Sequence, residues 1–452
     1  MLRIVLTFIF LSCLATASVA EPEVVKVIDI PYVTWIMETP DYWILRHPAP
    51  DKVVMTPERI ARFNKDLHIK SLVDDLGQMP KLLPGKLVRA EIRDLSVLLK
   101  KSGFFDKDGL PVKAAVYTAL DSNVALEAVG RRVMLRPAVT TAFTNQRMMP
   151  TDALFCRIPG DVHFDRAQNS AIEPGVPVAV LHESADGQWF FLKDGISSGW
   201  VKAADVAWVD QAAWQDMLAP KQFAVVVAPV ARIFHDENMW EPLASARMGA
   251  RFTLKRVTSK AVEVLFPVRG EDGWARLASA FLPRVDVNIG YLRYTPRTVI
   301  EQAFKLLGTP YGWGDSGGAV DCSRFVNMVF ATVGLHLPRN SSEQGRSGLA
   351  AADFDPRFGA LDKFVAIAGR GLGGVTLLRL PGHIMIYLGE VDKRLYAIHA
   401  AWSYREPDET GGVSRVIGRV AVSDLSLGKG MPKGSLLERI TTVRFLGDKE
   451  KD

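Results

Sequence analysis

The chain has 452 residues, 48% of them hydrophobic and 23% charged, with a formal net charge of +5 and a pI near 9.0. That is too long for one core, suits about three domains, and excludes a disordered or fibrous chain. The basic excess is spread along the chain, which fits a polyanionic envelope but, with no nucleic-acid motif, predicts no nucleic-acid partner.

Residues 1–20 read as a signal peptide, with Arg3 as the positive charge, Ile4 to Leu11 as the apolar stretch and Ser18-Val19-Ala20 as the cleavage site. The expected location is therefore exported, periplasmic or in the cell envelope. Leu11-Ser12-Cys13 faintly resembles a lipidation box, but Phe10 fits it poorly, so cleavage after Ala20 is preferred to an anchor at Cys13. No later segment has ~18 continuous apolar residues, so no transmembrane helix is expected in the mature chain. After cleavage only Cys156 and Cys322 remain, which is not a disulfide framework. Neither has the neighbours of a zinc site, so no metal or cofactor is expected. Residues 21–135 mix extended and helical pieces in a mainly helical stabilising clip, where Thr56-Pro57-Glu58 starts a helix bearing Ile60, Phe63 and Leu67.

From 136 to 215 the pattern changes to short β-type runs: Val176 to Leu181, an Asp186-Gly187 turn, Trp189 to Leu192, then Ser198 to Val201. The sequence resembles a bacterial SH3 domain, a small barrel. A second such block spans 216–290, where Asp272-Gly273-Trp274 repeats the Asp-Gly…Trp element, so a diverged tandem pair of all-β barrels is expected. Its tryptophans read as core more than as ligand groove.

The remaining domain, 291–452, opens with a helix capped by Thr295 and begun by Pro296. A Gly-rich loop, Pro310-Tyr311-Gly312-Trp313-Gly314, leads to Asp321-Cys322-Ser323 and an apolar-periodic run through Phe325, Val326, Val329 and Phe330. Asp321 reads as the N-cap and Cys322 as the first helical residue, where free N–H groups and the helix dipole favour thiolate. An irregular stretch over about 338–373 follows, then strands Val375 to Leu380, Ile384 to Gly389 and Leu395 to Ala400, so the domain is α+β.

A cysteine nucleophile needs a base and a group that orients the base. His383 and His399 lie at the ends of two of those strands. Taking Glu390-Val391-Asp392 as the turn pairs Gly389 with Lys393 and sets His383 opposite His399 on one face, ~5 Å apart, whereas a one-residue slip would separate them. The other histidines have no companion motif.

Tyr311-Gly312-Trp313-Gly314, Asp321-Cys322-Ser323, Pro338-Arg339-Asn340-Ser341-Ser342-Glu343-Gln344, Gly382-His383-Ile384 and Ile398-His399-Ala400 together resemble the NlpC-type cell-wall cysteine peptidases. That resemblance implies a papain-like catalytic domain and hydrolysis of the γ-D-glutamyl-diamino-acid bond of peptidoglycan stem peptides or muropeptides. It makes Cys322 nucleophile, His383 base and His399 orienter, with Tyr311, Trp313, Asp321, Ser323, Ser341 and Ser342 along the substrate site. Asp321 is also suited to pair with a free α-amine, and Tyr311 to help an oxyanion. Two departures stand out: Arg324 where many members have glycine, and an insertion from Ala350 to Gly374. A monomer is expected. The rival expectations are an acyltransferase or another amidase on the same fold, and a non-catalytic wall-binding protein.

Overall fold

The computed structural model describes residues 29–100, 103–409 and 411–447. The expected signal peptide, Cys13 and the polar end at 449–452 lie outside the described residues. Among those described, no helix is long and apolar enough to cross a membrane.

Two seven-stranded antiparallel sheets and one six-stranded sheet carry most of the fold. The first runs from Arg136 to Trp208 and the second from Phe223 to Ile289. Numbering each sheet's strands in chain order, both have the neighbour order 3-2-6-5-4-1-7, and each closes with a single 3-10 turn before its last strand. Shared topology therefore supports the tandem pair of SH3-like barrels, but the sequence element that suggested it is not equivalent. Asp186-Gly187 joins the fourth and fifth strands, whereas Asp272-Gly273 joins the fifth and sixth. The true counterpart in the first barrel is the Asp194-Gly195 turn ahead of Trp200. A two-residue turn signal recurs at every hairpin and does not mark which hairpin it closes. Trp189 and Trp200 are buried in the first barrel, while Trp274 is half exposed against Trp208.

The N-terminal segment divides its apolar side chains between two cores. Trp43, Met55, Ile60, Phe63 and Leu67 join the core of the Cys322 helix, Cys322–Ala331, while Val88, Ile92 and Leu99 join that of the first barrel. Thr56 precedes its helix in extended backbone as expected, without a side-chain capping bond.

The six-stranded sheet runs in the order Leu349–Asp353, Thr442–Phe445, Thr376–Leu380, His383–Val391, Arg394–Glu406, Val413–Asp424, antiparallel throughout. The Cys322 helix packs on one face through Phe325, Val326, Val329 and Phe330 against Ile384, Ile386, Ile398 and Val422. The stretch expected to be irregular contains an edge strand, Leu349–Asp353, and a helix, Ala360–Arg370. That helix covers the opposite face of the sheet, Ile367 lying with Met385, Tyr387 and Ala397.

The histidine hairpin differs from the expected register. Its turn is Asp392-Lys393, both in the left-handed region at φ 49° and 58°, and Val391 pairs with Arg394. A bulge between Tyr387 and Gly389 then shifts the ladder, so Ile386 pairs with Ile398. His399 continues opposite Met385, two residues from the expected partner. A shift of two preserves the face, so the histidines become diagonal neighbours within reach of aromatic side chains.

Candidate active site

Thr295 caps the helix Pro296–Lys305, its hydroxyl accepting from the Thr298 N–H at 3.1 Å. The following loop returns to the Cys322 helix, where Asp321 Oδ1 accepts from the Arg324 N–H at 2.8 Å and from the Ser323 hydroxyl at 3.0 Å. Asp321 is thus the N-cap and Cys322 the first helical residue. Gly314 adopts φ +60° where a Cβ would sit 2.8 Å from the carbonyl oxygen of Gln168, so the loop can press this closely on the first barrel only with glycine there. Gln168 Nε2 in turn donates to the Gly314 carbonyl at 3.1 Å.

Cys322 is buried and unpaired, and so is Cys156. The surroundings of Cys322 oppose the thiolate that its place at the helix start favours. Burial, with the Asp321 carboxylate second, pushes the Cys322 thiol up to about 12, although the Ile384 N–H offers its sulfur a hydrogen bond. His383 moves the other way, down to about 4, chiefly by burial and then by Arg439. His383 Nε2 lies 2.6 Å from His399 Nδ1, and His399 Nε2 lies 2.8 Å from Ser423 Oγ. His399 is held well below its ordinary value by burial and by His383. A neutral thiol beside a neutral imidazole can act by concerted proton transfer during attack.

Tyr311, Asp321, Ser323 and Cys322 come together around a residue to which the sequence reading gave no role. The buried Arg339 donates to Asp321 Oδ2 at 2.7 Å, Ser323 Oγ at 2.9 Å and, across to the first barrel, Ser170 Oγ at 2.9 Å. Burial first, and then the neighbouring Cys322 and Asp321 side chains, which disfavour a second anion beside them, push the Tyr311 phenol far above its ordinary value, so it remains an O–H donor. Gln344 also went unassigned. Its Nε2 donates to the Ser323 and Pro338 carbonyls, each at 2.9 Å, tying the turn after Arg339 to the helix. Ser341 starts that turn half-buried, and Ser342 is exposed.

Trp313 lies in an aromatic wall that the sequence reading missed. Phe164, from the first barrel, sits 6.1 Å from Tyr311, 5.7 Å from Trp313 and 5.2 Å from Trp402 between ring centroids. His163 stacks near Trp402 at 5.0 Å, and the Arg166 guanidinium lies 4.0 Å over Trp313. Nothing in a barrel's strand pattern says which loop meets another domain.

Arg324 has a physical role at last. Its guanidinium pairs with Asp315 at 2.9 Å and with Glu173 of the first barrel at 3.1 Å. Arg247 of the second barrel pairs with the same two carboxylates at 2.7 and 2.6 Å. All four are buried. Burial opposes ionisation of Asp315, but Arg324 and Arg247 outweigh it and hold its carboxyl below the ordinary range. A cavity of about 510 Å³ opens behind this network, lined by Asp194, Arg251, Tyr291, Asn327 and His336 among others, and its lining includes neither Cys322 nor His383.

A cysteine at a helix N-terminus, packed on an antiparallel sheet that presents a histidine pair, defines the papain-like class of cysteine hydrolase folds. More particularly, residues 308–406 match the NlpC/P60 family, and residues 157–202 match an SH3 domain of the SH3b1 type. The chain is 26% identical over 171 residues to a gamma-D-glutamyl-L-lysine dipeptidyl-peptidase of Bacillus cereus, covering 37% of this chain and 47% of the relative. It is 27% identical over 141 residues to the protein of that name from Bacillus subtilis, covering 28% and 48%. The matches thus span about half the length of each relative. A solved NlpC/P60 endopeptidase from Photobacterium damselae subsp. piscicida shares the fold with a TM-score of 0.70 at 17% identity, covering 88% of this chain and 95% of that one.

Proposed function

We propose that this protein is an exported cysteine endopeptidase that hydrolyses the bond between γ-D-glutamate and the diamino acid of peptidoglycan stem peptides. The observation that carries the reading is the 2.6 Å His383–His399 pair on the sheet beside a cysteine at its helix start. Because Nε2 of His383 faces His399, Nδ1 is the atom left to serve as base. The Cys322 sulfur attacks the γ-carbonyl carbon while its proton passes to His383 Nδ1. The Cys322 N–H and the Tyr311 hydroxyl hold the oxyanion. Collapse breaks the C–N bond as His383 returns the proton to the leaving amine, giving a thioester. Water, deprotonated by His383, then releases the γ-D-glutamyl product and the thiol.

On this reading the wall of Phe164, Trp313 and Trp402 beside Tyr311 narrows the approach to Cys322, which favours short fragments with a free L-Ala end over intact wall. Asp321 is largely committed to its cap and to Arg339, so it can attract an α-amine through Oδ2 but does not stand there as a free carboxylate.

Mature protein incubated with the tripeptide L-Ala-γ-D-Glu-diamino acid should release the free diamino acid, detected by mass spectrometry, and Cys322→Ala should abolish release. Cleavage that persists in that variant would overturn the assignment, and transfer of the dipeptide to an added amine in place of water would identify an acyltransferase. Phe164→Ala should raise turnover of intact sacculi relative to the tripeptide; an unchanged ratio would reject the role of the wall.

A further inference from the structure

We infer that Ser423 is a positioning residue for the histidine pair, the terminal acceptor that fixes the direction of a three-strand hydrogen-bond relay. The inference rests on the proposed roles of Cys322 and His383. Ser423 is fully buried on the strand Val413–Asp424, paired with Ala397, while His399 pairs with Ala421. His383, His399 and Ser423 therefore form one diagonal across three adjacent strands, linked at 2.6 Å and 2.8 Å.

The direction follows from proton counting. For His383 to accept the thiol proton at Nδ1, its other nitrogen must be protonated, so Nε2–H donates to His399 Nδ1. His399 Nδ1 is then a lone pair and its only proton sits on Nε2, pointing at Ser423. Once His383 is an imidazolium the same direction is forced again, because it has no lone pair left. Both states thus need an acceptor at residue 423, and a hydroxyl oxygen supplies one. With alanine there, the His399 Nε2–H is a buried donor without a partner. The cheaper arrangement moves its proton to Nδ1, turns the bond to His383 around, and leaves a proton on the nitrogen that should be the base. The charged groups nearest the relay are Asp321 and Arg439, both on the His383 side.

The test combines kinetics with the tautomer itself. Ser423→Ala should lower kcat on the tripeptide by about ten- to a hundredfold with KM nearly unchanged. Its acid limb in kcat should move to lower pH, since the imidazolium loses its relay. Ser423→Thr, which keeps the hydroxyl, should recover most of the rate. Nitrogen-15 spectra of histidine-labelled protein, assigned with a His399→Gln variant, should show His399 protonated at Nε2 in the parent and at Nδ1 in Ser423→Ala. A parent His399 protonated at Nδ1, or a Ser423→Ala protein with kcat within twofold and an unaltered tautomer, would overturn the inference. The spectra do not depend on turnover, so an inactive role for Cys322 and a failed relay are separately visible.

Discussion

Burial favours the neutral forms of both Cys322 and His383. Burial and Asp321 raise its thiol to about 12 while burial lowers His383 to about 4, a combination that opposes an ion pair before substrate arrives. Iodoacetamide should therefore modify Cys322 slowly at neutral pH, with a rate still climbing above about pH 9. A plateau reached near neutrality would contradict this. The acid limb of kcat/KM should lie well below the ordinary histidine value of about 6.5, because the free enzyme's base stays neutral to near 4. The histidine pair sets an acid limit on the fold. Burial holds His383 down to about 4 in the folded chain, against its ordinary value when unfolded, and His399 is shifted in the same sense. As pH falls from about 6.5 towards 4 the unfolded chain binds protons that the folded one refuses, so stability present above that window is lost through it. A melting temperature that is flat across the window would refute this. The sequence made Asp321, Cys322 and the two histidines legible, since a cap before an apolar run and histidines at strand ends are local patterns. It could not show the thiol's protonation, which depends on how deeply the helix start is buried.

Hairpin geometry explains what was missed one level up. Face alternation has period two, so the expected register, wrong by two, still put both histidines on the correct face. The error came from the turn and the bulge after Tyr387, neither of which has a glycine pair or Asn-Gly to announce it. Asp392 and Lys393 both occupy positive φ, a conformation that costs a residue with a Cβ roughly 1–2 kcal/mol and glycine far less. Lys393→Gly should therefore stabilise the protein by roughly 0.5–1 kcal/mol after the unfolded-state entropy of glycine is subtracted. Denaturant midpoints would measure it, and a lower midpoint would argue against the turn. The strand Val413–Asp424 also escaped the sequence reading, and Ser423 with it, because a lone serine among Val420, Ala421 and Val422 carries no pattern of its own.

At the scale of the molecule, Glu173, Arg247, Asp315 and Arg324 join both barrels to the nucleophile helix in one buried charge cluster. Removing one partner of such a set leaves uncompensated charge, so Glu173→Ala should cost about 3–5 kcal/mol, read by chemical denaturation. A loss below about 1 kcal/mol would mean the cluster is open to solvent. Three of the four pairings join residues 68 to 151 positions apart in the chain, and nothing local in the sequence pairs those. Glu173 closes the first barrel's strand Gln168–Ile172, the strand that also carries Gln168 against Gly314 and Ser170 against Arg339. A recombination that exchanged the first barrel for another would leave the buried Arg247 and Arg324 guanidiniums sharing Asp315 alone unless the newcomer brought a carboxylate to the same place, so the barrel is matched to its neighbours by charge as well as by shape.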